Sequence, residues 1–279
     1  MDIRQRLAMT YLIDSLAPAP LLGNALTFAF EKATVEGKIT ITLLVVVSMF
    51  SWTVIITKGR QIFRALRMGK RFFAAYRSTR DPMDLFRKQE EFDGAPAFDV
   101  YFTGCEELEY HLKNNPVTIK GQTRVSSASF ESVKVSLERA VSSQGMALEK
   151  GMIILSTAVA GGPFIGLLGT VWGVMETFSG VAIAKAASLT AMAPGVAGAL
   201  IATVVGLFVA IPAMFAYNYM VTTIRAITQE LDNFATEFVT AVEHRYVDNR
   251  PMADEIADAL RLLQAENGTS SAPLSSTAS

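Results

Sequence analysis

The sequence predicts an all-α integral membrane protein with three transmembrane helices extended into the cytoplasm and its N-terminus outside. Three observations carry this reading. Only 18% of the 279 residues are charged, where soluble domains carry about a quarter, while 51% are hydrophobic and the mean hydropathy is +0.32. The missing charge is concentrated in a few long apolar runs rather than spread along the chain. A dense basic block follows directly on the first of those runs.

Residues 1–38 resemble a cleaved signal peptide in part, with Arg4 and Arg6 followed by small residues at Ala17 and Ala19. Asp14 interrupts the apolar stretch, and Glu31, Lys32 and Glu36 separate it from the next one. A retained amphipathic segment at the outer membrane surface is therefore expected. Residues 39–57 contain no Asp, Glu, Lys or Arg. At 1.5 Å per residue this run covers roughly 28 Å, close to the hydrocarbon thickness, and it is the first span. Between Lys150 and Arg225 the only charges are Glu176 and Lys185. One helix over that length would overshoot a bilayer more than twofold, so the chain must turn near Lys185, among small and polar residues. Spans at 151–183 and 189–220 follow, joined by an outer turn at 184–188.

The basic block consists of Lys58, Arg60, Arg64, Arg67, Lys70, Arg71, Arg77 and Arg80, with no acid before Asp81. Such a cluster beside a span is retained in the cytoplasm, which places 58–150 and 221–265 inside. The 58–150 segment reads as helical. Ile62, Phe63, Leu66, Phe72 and Phe73 recur near helical spacing, and 98–112 and 129–149 form further helices between breaks at Asp81-Pro82, Asp93-Gly94 and Asn115-Pro116. After the third span, Ile224, Ile227, Leu231, Phe234, Phe238 and Val242 continue one apolar helix face. A short helix is expected over 254–264, and the Ser/Thr/Ala-rich tail, 266–279, is expected to be disordered.

No nucleophile–base arrangement, phosphate-binding loop or dinucleotide fingerprint occurs, so neither enzymatic chemistry nor a cofactor is expected. His111 and His244 have no ligand-type company, and both are expected at the surface rather than on a metal. Cys105 is the single cysteine. The net charge of −1 gives no reason to expect nucleic acid as a partner. The informative pattern is small residues. Gly162, Gly166, Gly169 and Gly173 recur at steps of three and four in the second apolar region, and Gly195, Ala199, Ala202, Gly206, Ala210 and Ala213 in the third. Stripes of this kind let helix backbones approach closely in lipid, within one chain, between copies or against another protein. Thr170 shares a face with Gly166, Gly173 and Thr177, and Thr203 shares one with Ala199 and Gly206. A threonine here either bonds back to its own helix or presents a hydroxyl to a narrow polar pore.

Residues 163–175 read PFIGLLGTVWGVM and residues 193–213 read APGVAGALIATVVGLFVAIPA, followed by Tyr217-Asn218. These two stretches resemble the second and third spans of the TolQ/ExbB proton channel family. The resemblance implies a ring, commonly a homopentamer, in a bacterial inner membrane. The ring surrounds the helices of two copies of a TolR/ExbD-like single-span protein whose aspartate takes up and releases protons. Proton flow would drive work at the cell envelope or outer membrane, with lipid around the ring. Thr170 and Thr203 match the family's pore-lining threonines, and Thr177 continues their face. One departure stands out: Gly198 occupies the position where the family usually carries a glutamate. Glu176 is then the only acid inside the two apolar spans, and it is a candidate pore-mouth acid or an interfacial residue beside Lys185. A non-conducting scaffold of the same family is the alternative; a flagellar MotA-type stator would normally need a fourth span.

Overall fold

The computed structural model describes residues 35–119, 122–184 and 188–247. Residues 1–34 of the segment expected at 1–38, the segments expected at 254–264 and 266–279, and Lys185 in the outer turn lie outside the described residues. In chain order the elements are α1 (Val35–Ser78), α2 (Asp84–Arg87), α3 (Pro96–Asn114), β1 (Val117–Ile119), β2 (Gln122–Arg124), α4 (Ser127–Glu149), α5 (Met152–Ala184) and α6 (Leu189–Tyr246). They form two units. One contains residues 35–66 and 145–227, the other 67–144 and 228–247.

The first unit holds the apolar parts of α1, α5 and α6. Along α1, Gly37, Ile41, Leu44, Ser51, Ile62 and Ala65 are buried, and Ser48, Ile55 and Lys58 between them are half-buried. These positions advance by alternating steps of three and four, so one face of a helix turns inward. Phe63, which recurs near helical spacing with Ile62 and Leu66, is 67% exposed because it lies about 100° around the helix from Ile62. Lys58 supplies a C-cap for α4. Its Nζ donates to the carbonyls of Ala147 and Leu148, both at 3.2 Å, which have no partner within their own helix. α4 and α5 meet at Gly151, whose φ of 88° lies in the left-handed region that disfavours other residues.

Three helices among the described residues are long and apolar enough to cross a membrane: Val35–Ser78, Met152–Ile183 and Gly195–Tyr246. In their most apolar stretches only 22%, 33% and 33% of residues are buried within the chain. Phe164, Leu167, Val171, Phe208 and Phe215 are among those left uncovered. Lipid or further protein must cover them, because a large apolar surface of this kind is not stable in water. The fold is an all-α membrane fold with one small hairpin.

The second unit has an aromatic core. Phe72, fully buried, has the rings of Phe73, Tyr76, Phe92, Phe98, Tyr101 and Phe234 around it with centroids 5.3–6.0 Å away. Tilted and edge-to-face contacts dominate, the arrangement favoured by ring quadrupoles. α3 starts with Pro96 at its first turn, where a missing N–H does no harm. It buries Ala97, Val100, Tyr101, Gly104, Cys105, Leu108 and His111. A Cβ on Gly104 would stand 2.6 Å from Leu137 Cδ2 and 2.9 Å from Phe238 Cε1, so α4 and α6 close on α3 at this point. Burial pushes the Cys105 thiol up to about 12, which keeps it a protonated core group.

His111 corrects the sequence reading. It is only 8% exposed, because it falls one turn after Leu108 on the buried stripe, and its Nε2 lies 3.3 Å from Glu107 Oε1. His244 is exposed. The hairpin was also not anticipated. β1 and β2 pair antiparallel, with Val117 opposite Arg124 and Ile119 opposite Gln122. Val125 then pairs in parallel with Val247, and its N–H donates to the Tyr246 carbonyl at 2.8 Å. Ser126 caps α4 by accepting the Ser129 N–H on its hydroxyl at 3.2 Å.

Truncating Phe72 to Ala removes the ring on which the other six converge. We expect a loss of about 3–5 kcal/mol in the stability of this unit. The measurement is denaturant or thermal unfolding of the purified protein followed through its aromatic signal, and a loss below about 1 kcal/mol would refute the assigned core.

Candidate functional site

α5 and α6 run antiparallel with the two small-residue stripes facing each other. A Cβ on Gly162 would stand 3.0 Å from the Gly206 carbonyl oxygen and 3.2 Å from Ala210 Cβ. On Gly166 it would stand 2.9 Å from the Ala202 carbonyl oxygen and 3.0 Å from Thr203 Cα. Further along, Gly173 meets Ala199 at 2.9 Å, and Gly195 meets the Thr177 side chain. Gly206 is the tightest against backbone: its Cβ would lie 2.6 Å from the Gly162 carbonyl oxygen. The stripes therefore serve each other within one chain. Gly169 is the point where α1 joins, with a would-be Cβ contact of 2.6 Å to Ala202 and 3.0 Å to the Thr40 hydroxyl. Gly198 is buried on α6.

At the middle of this seam Thr170 and Thr203 face each other with their hydroxyls in direct hydrogen-bond contact. The surrounding acceptors are arranged reciprocally. Thr203 Oγ1 lies 3.1 Å from the carbonyl of Gly166, the residue one turn before Thr170. Thr170 Oγ1 lies 3.3 Å from the carbonyl of Ala199, the residue one turn before Thr203, and 3.1 Å from its own Gly166 carbonyl. Each hydroxyl has a single proton and two lone pairs. When Thr170 donates to Thr203, Thr203 donates to Gly166. When Thr203 donates to Thr170, Thr170 donates to Ala199 or Gly166. Rotation of two hydroxyls exchanges these patterns with no backbone motion. Both side chains remain partly exposed. Thr177, by contrast, bonds back to its own helix, donating to Gly173 at 2.8 Å. Glu176 is exposed.

These helices define a multi-pass membrane subunit in which an intramembrane hydroxyl pair is held by close backbone contact. Comparison with known proteins agrees. Residues 108–233 match the family described as the MotA/TolQ/ExbB proton channel family. The chain is 33% identical over 228 residues to the Tol-Pal system protein TolQ of Haemophilus influenzae, covering 80% of this chain and 95% of that one. It is 29% identical over 237 residues to the biopolymer transport protein ExbB of Pseudomonas putida, covering 82% and 68%. A third relative, ExbB of Xanthomonas campestris, is 33% identical over 215 residues, covering 74% and 83%. The chain belongs to the MotA/TolQ/ExbB proton channel family, and it is an energy-transducing membrane subunit rather than an enzyme.

A second polar cluster, in the other unit, escaped the sequence reading. Asp81 is 8% exposed. Its Oδ1 accepts the Met83 N–H at 3.0 Å and the Tyr246 hydroxyl lies 2.7 and 2.8 Å from its two oxygens. Arg87 Nη1 and Arg245 Nε each stand 3.2 Å from Oδ2, and Arg87 Nη2 donates to the Tyr246 hydroxyl at 3.1 Å. Burial alone would raise the Asp81 pKa. The Met83 and Tyr246 hydrogen bonds and the two guanidiniums outweigh it, so the carboxyl titrates below its ordinary range. From sequence Asp81-Pro82 was visible only as a helix break, since Arg245 and Tyr246 lie far along the chain.

Two outcomes are expected. Gly206→Ala should push α5 and α6 apart and cost about 1–3 kcal/mol, whereas Gly161→Ala, with nothing within 4 Å of its would-be Cβ, should be neutral or slightly stabilising. Thermal melting of both variants in one detergent checks this, and equal effects would reject the seam. For Asp81 the folded pKa is depressed, so its stabilisation is fully present above the unfolded value of about 3.9 and is lost as pH falls through the folded one. Asp81→Asn should therefore cost about 1–2 kcal/mol near neutral pH, discounted because Arg87 and Arg245 are half-exposed. The gap in melting temperature between the two proteins should close as pH drops below about 4; a constant gap would contradict the assignment.

Proposed function

We propose that this chain is the ring-forming subunit of a proton-motive-force-driven motor in a bacterial inner membrane. It would form a pentamer around a TolR/ExbD-like single-span protein and transmit energy to the cell envelope or outer membrane. The observation that carries the reading is the reciprocal Thr170–Thr203 pair. A pair that exchanges donor and acceptor by hydroxyl rotation can line a proton path and pass a hydrogen bond to water or to a partner's carboxyl. Thr177 would extend that lining toward the end of α5, and Glu176 would stand at the pore mouth as the one acid inside the two spans. The uncovered apolar faces of the three long helices support neighbours or lipid around each copy. The basic block after residue 57 supports an outer N-terminus, with the aromatic-cored unit inside the cell.

Gly198 favours a second reading, a non-conducting scaffold of the same family, because the apolar stretch 189–220 of α6 then offers no carboxylate to the path. Threonine chemistry separates the two. Thr203→Val keeps the shape and removes the hydroxyl, and in the motor it should abolish proton-driven activity while Thr203→Ser retains it. The assay is proton flux in proteoliposomes containing the chain and its single-span partner. Equal flux in the wild type and Thr203→Val would sink the hydroxyl path, and unaltered flux in Glu176→Gln would remove Glu176 from it. Native mass spectrometry of the gently extracted complex tests the ring: a monomer without a single-span partner would leave the scaffold in front.

A further inference from the structure

Behind Asp81 the second unit contains a cleft of about 530 Å³ that the proton-path reading does not use. Its walls carry three guanidiniums, from Arg87, Arg124 and Arg245, together with His244 and the Tyr246 hydroxyl. Asp81 is the single carboxylate among the described residues that line it. It balances one guanidinium, which leaves two positive charges facing the cleft.

The donors are only partly used. Arg245 approaches Asp81 through Nε, and among the described residues no hydrogen bond engages its two terminal nitrogens. Arg124 donates Nη1 to the Val247 carbonyl at 3.2 Å. Its Nε is shut away from solvent, with no hydrogen-bond partner among the described residues. The arginines are also fixed in place: the Val125–Val247 bridge holds Arg124, and Tyr246 and Asp81 hold Arg87. Paired N–H forks suit an oxyanion, and a charge excess of two suits the phosphate dianion better than a second carboxylate.

We propose that this cleft binds a small phosphate-class oxyanion, either free inorganic phosphate or the phosphate of an acidic lipid headgroup, with Arg124 and Arg245 as its principal donors. The site is separate from the threonine seam and does not depend on proton conduction. Because the cleft joins the α1–α2 corner, β2 and the end of α6, an occupant also stabilises the unit it sits in.

The test is calorimetric titration of inorganic phosphate into the full-length chain in a non-ionic maltoside detergent, in a phosphate-free buffer. The expected result is saturable binding of one phosphate per chain, accompanied by a rise in melting temperature. Arg124→Gln and the half-exposed Arg245→Gln should each weaken binding by about tenfold or more, while Arg124→Lys, which keeps the charge but not the fork, falls between. The Arg245 variant keeps the test valid if the Arg124 variant is unstable. Adding short-chain phosphatidylglycerol distinguishes the sources: competition that disappears in Arg245→Gln assigns the site to headgroups, and its absence assigns the site to soluble phosphate. Asp248, the next acid in the sequence, lies outside the described residues. If that carboxylate fills the cleft, phosphate will not bind at millimolar concentration, and the proposal is overturned. Binding unchanged in both Gln variants overturns it equally.

Discussion

The close approach of α5 and α6 is the constraint on which the membrane unit depends. In lipid no hydrophobic force draws one apolar helix to another, so dispersion contacts and cross-helix hydrogen bonds must hold the pair. Both require short distances. The Gly162 carbonyl lies where a side chain on Gly206 would otherwise stand, and Ala202 fills the corresponding space beside Gly166 and Gly169. Larger residues here would push the helices beyond hydrogen-bond reach of Thr170 and Thr203. The threonine pair is thus a product of the small residues around it. Each hydroxyl reaches a carbonyl on the opposite helix only because the residues that carry those carbonyls, Gly166 and Ala199, have almost no side chain of their own.

The other unit solves the cohesion problem by different means, suited to water. Phe72 and the rings around it supply apolar burial, which is effective only where water is the alternative. Asp81 closes the edge of that unit with hydrogen bonds from a backbone amide and a phenol, and guanidiniums that stay half in solvent. A carboxylate so well supplied with donors stays ionised although it is nearly buried. The same chain therefore uses small residues and hydroxyls in one unit, and large rings and charges in the other.

The legible parts of the sequence were those governed by local periodicity. The charge-free runs identify the long helices, and the steps of three and four identify the glycine and alanine stripes, because both signals reside within one helix. The C-terminal stripe from Ile224 to Val242 is likewise buried throughout. What periodicity does not encode is the partner. The glycine stripe of α5 could have met another copy; its contacts with Ala199, Ala202 and Gly206 needed coordinates. His111 was misjudged because polarity was weighed above its place one turn after Leu108. The hairpin had a weak local signal, β-branched residues at 117–119 flanking Lys120-Gly121, a pair compatible with a tight turn. The Asp81 cluster had none, since Tyr246 lies 165 residues away.

That separation bears on how the protein comes into being. The last partners of Asp81 and Val125 are Tyr246 and Val247, and the long apolar stretches of α5 and α6 are encoded before them. During synthesis the ribosome delivers residues 67–144 long before the piece that completes their unit. Phe72 and Tyr101 must wait for Phe234 and Phe238 while the intervening segment enters the bilayer. The aromatic core thus cannot close until both long apolar stretches of α5 and α6 have been synthesised, and a chain halted before Phe234 carries an open core.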